Sequence, residues 1–178
     1  MKPRRYLLAL ALGVVVAACS AAEPEDSSDL ARLRGRGLQI PVPSVAAEQL
    51  ADSYLQARGT TTHEALDIMA PRGTPVVAVE DGRIVKLFLS KPGGITVYQF
   101  DNASEFAYYY AHLDRYADGL AEGMQVRRGQ VIGYVGSTGN ASPESPHLHF
   151  AVFRLGPERR WWRGTPLNPY RIWRPATP

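Results

Sequence analysis

Four histidines and one aspartate are the residues of this chain best suited to chemistry. His63 and Asp67 lie four residues apart in THEALDIMA, so both side chains share one face whether the backbone is helical or extended. His147 and His149 flank a single leucine, and in a strand both imidazoles would point the same way. His112 ends the run AYYYAH. Two imidazoles and one carboxylate with an open fourth position are the ligand set of a catalytic zinc ion.

Two other motif-like stretches lack the context that their chemistry requires. The segment HEALD resembles the HExxH zinc motif, but it runs into β-prone Ile68-Met69 and a turn at Pro71, so Glu64 is not expected to be a catalytic base. The loop GSTGN at 136–140 lacks the lysine of a phosphate-binding loop and does not open a helix, which excludes nucleotide binding there.

The elements that must position these residues are mostly strands. After Gly59, short runs rich in Val, Ile, Tyr and Phe alternate with glycine-containing turns, which predicts a mainly β fold, an antiparallel sandwich or barrel. One N-terminal helix is predicted over 44–58, where Ser44 is a candidate N-cap and Gly59 a candidate terminator. The predicted strands cover 75–79, 83–89, 95–100, 106–112, 130–135 and 147–154.

From His63 to Pro169 the sequence resembles the lysostaphin-type, or LytM-like, zinc metallopeptidases, which cut peptidoglycan cross-bridges and stem peptides. The resemblance rests on the ordered combination of HxxxD, GTPVVAVEDGRI, YAHL, VRRGQVIGYVGSTG and HLHF. It implies one zinc ion bound by His63, Asp67 and His149, with His112 and His147 as catalytic histidines that are not ligands. Ala65 departs from the usual glycine of the family and bears on substrate choice, since its methyl group could narrow the groove.

The aromatic residues near these motifs suggest two further roles. If His112 projects into the site, strand alternation places Tyr108 and Tyr110 on the same face as groove-lining residues, the alternative being ordinary packing in the strand. Trp161 and Trp162 are expected to cover the core, with stacking on glycan as the less favoured interpretation.

Charge and hydropathy at the N-terminus indicate export rather than nucleic-acid binding. The chain has 178 residues and a formal net charge of +3, but three of its 20 basic residues, Lys2, Arg4 and Arg5, precede an apolar run over 6–18. Without them 17 basic residues balance 17 acidic ones. The apolar run has the length of a signal-peptide core and is too short for a permanent transmembrane helix.

The single cysteine gives the N-terminus a more specific interpretation. VAAC at 16–19 resembles the lipobox of bacterial lipoproteins, with Val16 where leucine is most common, and implies lipidation at Cys19. The absence of an aspartate at Ser20 implies the periplasmic face of the Gram-negative outer membrane. An ordinary secreted protein with an idle cysteine is the alternative. The predicted organisation is a signal peptide over 1–18, a flexible acidic tether over 19–36 and the peptidase domain over 37–178.

Two functions of different classes fit these features. The first is a membrane-anchored zinc endopeptidase whose partners are its peptidoglycan substrate and the lipid membrane. The second is a LytM-like regulator that activates a separate murein amidase, although such regulators have typically lost zinc ligands. A lipoyl- or biotinyl-type carrier is excluded, because neither Lys86 nor Lys91 lies in the required turn.

Overall fold

The chain after residue 60 folds as the predicted antiparallel β-structure. A computed structural model describes residues 25–175. All six predicted strands are present, with ends that differ by a few residues. The elements are, in chain order, α1 (Glu25–Arg36), a 3-10 turn (Ala47–Gln49), β1 (Ala57–Arg58), β2 (Thr61–Thr62), β3 (Leu66–Met69), β4 (Pro75–Val77), β5 (Gly82–Ser90), β6 (Gly94–Asp101), β7 (Phe106–Tyr116), β8 (Gln125–Val126), β9 (Val131–Val135), β10 (His147–Leu155), β11 (Gly164–Leu167) and α2 (Tyr170–Trp173).

One nine-stranded sheet carries most of the described chain. Its main path runs β11-β10-β7-β6-β5-β8, while β3 pairs with the start of β10 and β9 joins β4 to the end of β7. A separate hairpin is formed by β1 and β2. Every pairing is antiparallel. Since β10 lies between β7 and β3, the histidines at its start are central in the sheet rather than at an edge.

The apolar side chains of the central strands form the core. Most residues of β7 and about half of those of β10 are buried, and they include the large aromatic side chains of both strands. The C-terminal helix closes this core, because Trp173 packs 5.8 Å from the Phe150 ring and its indole N–H donates to Leu38 O at 2.8 Å. The most deeply buried large side chains are Tyr108, Tyr110, Phe106, Phe150, Leu30, Leu33, Leu66, Ile68, Ile84, Leu113, Ile132 and Leu148.

Residues 25–36 form a helix, so the prediction of a flexible tether over 19–36 is wrong for that part. Leu30 and Leu33 of α1, three residues apart on one face, are buried in the main core. Arg36 ties the end of the helix to the sheet through Glu80 at 3.1 Å and Asp101 at 2.9 Å. Most of the stabilisation of this charged, serine-containing segment is therefore tertiary. Residues 19–24, Cys19 and the signal peptide lie outside the described residues.

Arg36 is the centre of a group of charges, called here the basal ion cluster, at the β6–β7 turn. Its guanidinium contacts the carboxylates of Glu80, Asp101 and Glu105, the last at 3.0 Å. The Tyr108 hydroxyl donates to Glu80, and Asp101 accepts the Glu105 and Phe106 backbone N–H groups at 2.7 and 2.8 Å. Each of these charges thus has protein partners.

The predicted helix over 44–58 is also wrong, since this segment forms a 3-10 turn and, at its end, the short strand β1. Leu50 is buried, but Leu55 is 80% exposed, so the apparent apolar stripe does not share one face. Carbonyl groups of the segment bond to later residues: Gln56 O accepts from His63 N and Tyr54 O from Glu64 N, both at 2.9 Å. Tertiary hydrogen bonds have replaced the helical pattern.

No helix among residues 25–175 is long and apolar enough to cross a membrane.

Candidate active site

The sheet brings the sequence-predicted ligands together through the pairing of β3 with β10. Asp67 and His149 are direct partners in this antiparallel ladder, and His63 lies in the loop that leads into β3. The Nε2 atom of His63 lies 3.0 Å from Nδ1 of His149 and 3.1 Å from Oδ1 of Asp67. His149 Nδ1 is 3.3 Å from the same oxygen. One ligand atom from each residue therefore falls within 4.8 Å of the other two.

The donor atoms have the protonation and surroundings that a metal ion requires. His63 Nδ1 lies 2.9 Å from Ser53 O, so it carries the proton and leaves a lone pair on Nε2. Burial lowers the pKa of His149, which favours the neutral imidazole. Asp67 Oδ1 is buried and has no hydrogen-bond partner among the described atoms. A buried carboxylate oxygen that faces imidazole nitrogens fits a divalent cation, and zinc suits this set of ligands.

The second oxygen of Asp67 is held by the β1–β2 hairpin. Arg58 Nη2 lies 2.8 Å from Asp67 Oδ2, while the Asp67 backbone N–H donates to Ser53 Oγ at 3.0 Å. Ser53 in turn donates to Ala65 O at 3.2 Å. Ser53 and Arg58 thus support two ligands from outside the metal centre, and nothing in the sequence motif indicates either residue.

His112 and His147 face the same cavity without joining the three converging atoms. Their ring centroids are 5.0 Å apart, and His112 lies 5.5 Å from His149. Each uses Nδ1 on a backbone carbonyl, His112 on Thr138 at 2.8 Å and His147 on Ser145 at 2.9 Å. Both rings therefore keep Nε2 available, and His147 Nε2 is 3.7 Å from Asp67 Oδ1. Burial lowers the pKa of His112 to about 4, so its ring is neutral at pH 7.

The expectation that Tyr108 and Tyr110 line the groove is wrong. Both side chains are fully buried, and the Tyr110 hydroxyl donates to Gln99 Oε1 at 2.7 Å within the core. The reason is a β-bulge in β7, where Ile95 pairs with Leu113 but Val97 pairs with Tyr110, so β7 has one extra residue. His112 lies at this bulge with φ of +59°. The bulge inverts the alternation, and Tyr109, 5.8 Å from the His149 ring, lies on the groove side instead.

The loop at 136–140 fixes the position of His112. It packs so closely on the β5–β6 turn that a Cβ on Gly94 would lie 2.4 Å from the Thr138 carbonyl carbon, and a Cβ on Gly139 equally close to Gly94 N. Thr138 Oγ1 also accepts from Ile95 N at 2.9 Å and donates to Leu113 O at 2.8 Å. Thr138 therefore fixes the carbonyl that orients the His112 ring, which sequence reasoning had missed.

These side chains surround one open cavity of about 570 Å³, a typical size for a small-ligand site. Glu64 is exposed and does not line it, in agreement with its exclusion as a base. Ala65 is fully buried and does not line it either, so its methyl group does not narrow the groove. The cavity is lined by Arg58, Thr61, Thr62, His63, Asp67, Pro92, Gly93, Tyr109, Ala111, His112, Asn140, Ala141, Ser142, Ser145, His147 and His149.

Comparison with known families identifies this arrangement. Residues 61–169, which include all five candidate residues, match the model of Peptidase family M23. The chain belongs to peptidase family M23. Its resemblance to lysostaphin-type and LytM-like enzymes is thereby confirmed at the level of the family, whose members are zinc metallopeptidases.

Curated relatives of this M23 chain are peptidoglycan endopeptidases. The L-Ala–D-Glu endopeptidase of Bacillus subtilis is 33% identical over 142 residues, which cover 75% of this chain and 43% of the relative. The DD-carboxypeptidase/endopeptidase Mpg of Neisseria meningitidis is 39% identical over 111 residues, or 62% of this chain and 22% of that protein. The chain thus matches less than half the length of either relative.

The M23 fold is also recognisable in solved structures. The catalytic domain of the antimicrobial peptidase lysostaphin from Staphylococcus simulans superimposes with a TM-score of 0.59 at 28% identity. The match covers 70% of this chain and 91% of that domain. The β-sheet and the predicted fold class are therefore those of lysostaphin-type peptidases.

Proposed function

We propose that this chain is a zinc-dependent peptidoglycan endopeptidase that hydrolyses peptide bonds in stem peptides or cross-links. The observation that carries the proposal is the convergence of three ligand atoms within 4.8 Å, with the buried oxygen of Asp67 lacking any other partner. The peptidoglycan substrate is inferred from the relatives. The complete set of five residues favours an enzyme over a regulator of a separate amidase.

The chemistry divides between the ligands and the two remaining histidines. His63, Asp67 and His149 would hold Zn²⁺, which when bound supplies a Lewis acid and an activated water. His112 and His147 line the cavity beside these ligands, and both use Nδ1 rather than Nε2 on the backbone. Because Nδ1 of each ring donates to a carbonyl, a neutral ring has a lone pair at Nε2, with which one imidazole can accept the proton of the water and then deliver it to the leaving amine. The other ring can donate to the developing oxyanion in its protonated form. Their Nδ1 bonds to backbone carbonyls hold the rings in place for both roles.

Digestion of purified peptidoglycan sacculi tests this proposal. The chain from Cys19 onward, loaded with zinc, is expected to release soluble muropeptides, and their masses identify the bond that is cut. His147→Ala is expected to keep one zinc per chain but lose about 10²-fold or more in turnover, because a general acid–base group is removed without a ligand. If the zinc-loaded wild type releases nothing but stimulates an amidase, the regulator interpretation replaces the enzyme.

We also propose that Cys19 is lipidated and anchors the protein to the periplasmic face of the outer membrane. The support is the VAAC sequence after a signal-like apolar run. Because α1 begins at residue 25, about six residues would separate the anchor from the fold, with a maximum reach of roughly 20 Å. Membrane fractionation tests this: the wild type is expected in the outer-membrane fraction and Cys19→Ser in the soluble periplasmic fraction. Soluble wild-type protein would contradict the anchor.

A further inference from the structure

Beyond the cavity, a row of aromatic rings crosses the outer face of the sheet. Tyr109, on the groove side beside His149, stacks at 4.5 Å on Tyr98 of the neighbouring strand β6. Tyr98 in turn lies 4.8 Å from Trp161, which lies 5.2 Å from Trp162. The outermost ring is therefore within about 15 Å of Tyr109. The row connects the candidate active site to the loop between β10 and β11.

The outer end of this row is open to solvent, which differs from the sequence expectation that both tryptophans cover the core. Trp162 is 59% exposed and Trp161 is half-buried. Their rings meet at 78°, so they form a corner rather than a stack. Together with Tyr98, Phe153 and Arg163 they line a cavity of about 200 Å³, which suits one ring better than an extended ligand. An exposed aromatic corner of this kind is characteristic of a binding surface.

We propose that Trp161 and Trp162 form a subsite for a hexopyranose ring of the peptidoglycan glycan strand. This inference rests on the proposed function and specifies how the same site would hold its substrate. A pyranose presents an apolar C–H face, which packs on an indole ring, and equatorial hydroxyl and acetamido groups at its edge. Arg160, whose guanidinium carbon lies 5.5 Å from the centre of the Trp162 ring, and Arg163 at the cavity wall provide donors for that edge.

The separation of the two sites matches the geometry of the substrate. A stem peptide joins the glycan through its first residue, and extended chain advances about 3.3–3.6 Å per residue. A bond two to four residues along the stem then lies about 7–14 Å from the sugar. The ring contacts place Trp161 within about 15 Å of the His149 ring, so a sugar at the tryptophan corner is within reach of such a bond at the metal ligands. The sugar would thus be bound while the peptide crosses the groove.

A binding titration tests the subsite independently of hydrolysis. The full chain from Cys19 is titrated with the tetrasaccharide of N-acetylglucosamine, and indole N–H resonances are followed by NMR. We expect saturable shifts of the Trp161 and Trp162 signals, with Trp173, packed on the core, as an internal reference. Trp162→Ala is expected to weaken binding about tenfold or more, and Trp162→Phe to restore most of it, because a truncated aromatic anchor loses its contact area. Met124→Ala, which removes an exposed apolar side chain elsewhere, is the matched control.

Hydrolysis then separates this inference from the proposed function. Trp162→Ala is expected to slow the digestion of sacculi severalfold and to leave the cleavage of a sugar-free stem peptide unchanged. If the tetrasaccharide does not bind, or if Trp162→Ala binds it as well as the wild type, the subsite is overturned even when the enzyme is active. If the wild type cleaves neither substrate yet shows the tetrasaccharide shifts, the subsite stands and the proposed function fails.

Discussion

Two groups of buried charge lie at opposite ends of the β6–β7 pair, and they differ in whether they are complete. In the basal ion cluster, Arg36 contacts three carboxylates, and Asp101 also accepts two backbone N–H groups. In the candidate active site, Asp67 Oδ1 faces imidazole nitrogens and has no hydrogen-bond partner among the described atoms. The first group is a finished structural network. The candidate active site needs a cation to complete it, and this distinguishes a binding site from a purely structural charge network.

Among changes in the two groups, removal of a candidate zinc ligand should have the largest effect. His149→Ala is expected to abolish zinc binding and hydrolysis, because only two of the three converging atoms remain. Zinc at about 1,000 times its dissociation constant stabilises a binding-competent fold by about 4 kcal/mol, so the wild-type Tm should rise with zinc and the variant Tm should not. Metal analysis together with thermal unfolding, with and without zinc, measures both. One zinc retained by the variant would contradict the ligand assignment.

Removal of the central cation of the basal cluster should cost stability instead. Arg36→Ala leaves the Asp101 side chain, which is 2% exposed, and Glu80 without their cation, at an expected cost of about 3 kcal/mol in the free energy of unfolding. Denaturant unfolding of the zinc-free protein measures this. Arg34→Ala is the control on the same helix, because Arg34 is exposed and donates to the Arg171 carbonyl rather than to a buried carboxylate, so its loss should change stability little. Equal losses for the two variants would show that α1, rather than the cluster, is responsible.

The smallest effect is expected at Arg58, which forms an ion pair with a candidate zinc ligand. Arg58→Ala removes the partner of Asp67 Oδ2 and should weaken zinc affinity about tenfold, since residues that orient a ligand typically contribute at least this much. Arg58→Lys should recover part of the loss. Competition with a chelator measures the affinity.

Arg72→Ala is the matched control, because Arg72 has similar exposure and pairs with Asp114, outside the metal centre. Unchanged affinity in Arg58→Ala would show that the contact with Asp67 is incidental.

The sequence predicts the chemistry of this site better than its surroundings. The spacing within each motif is local, so HxxxD and HLH place four of the five residues once strands are assumed. Ser53, Arg58 and Thr138 act through contacts made by distant segments, and no local pattern indicates them. Tyr108 and Tyr110 were misplaced because strict alternation does not anticipate the bulge at His112.

Tertiary contacts also explain the two errors in the N-terminal region. Residues 25–36 have the composition of a tether, but Leu30 and Leu33 are buried in the main core, and Arg36 contacts carboxylates 44 to 69 positions away in the basal ion cluster. Residues 44–58 have the composition of a helix, but their carbonyls at Ser53, Tyr54 and Gln56 bind the segment around His63. In both places, partners remote in sequence decide the local structure.

The bulge in β7 has a consequence for how this protein can change by insertion and deletion. The position of His112 depends on the number of residues between Tyr109 and Leu113 as much as on the imidazole itself. Loss of one residue there would restore regular alternation along β7. Every zinc ligand would remain, and His112 would still share the groove face with Tyr109, but its backbone would lose the φ of +59° with which its ring meets the Thr138 carbonyl. A one-codon deletion would thus reorient the His112 imidazole without changing any of the candidate zinc ligands.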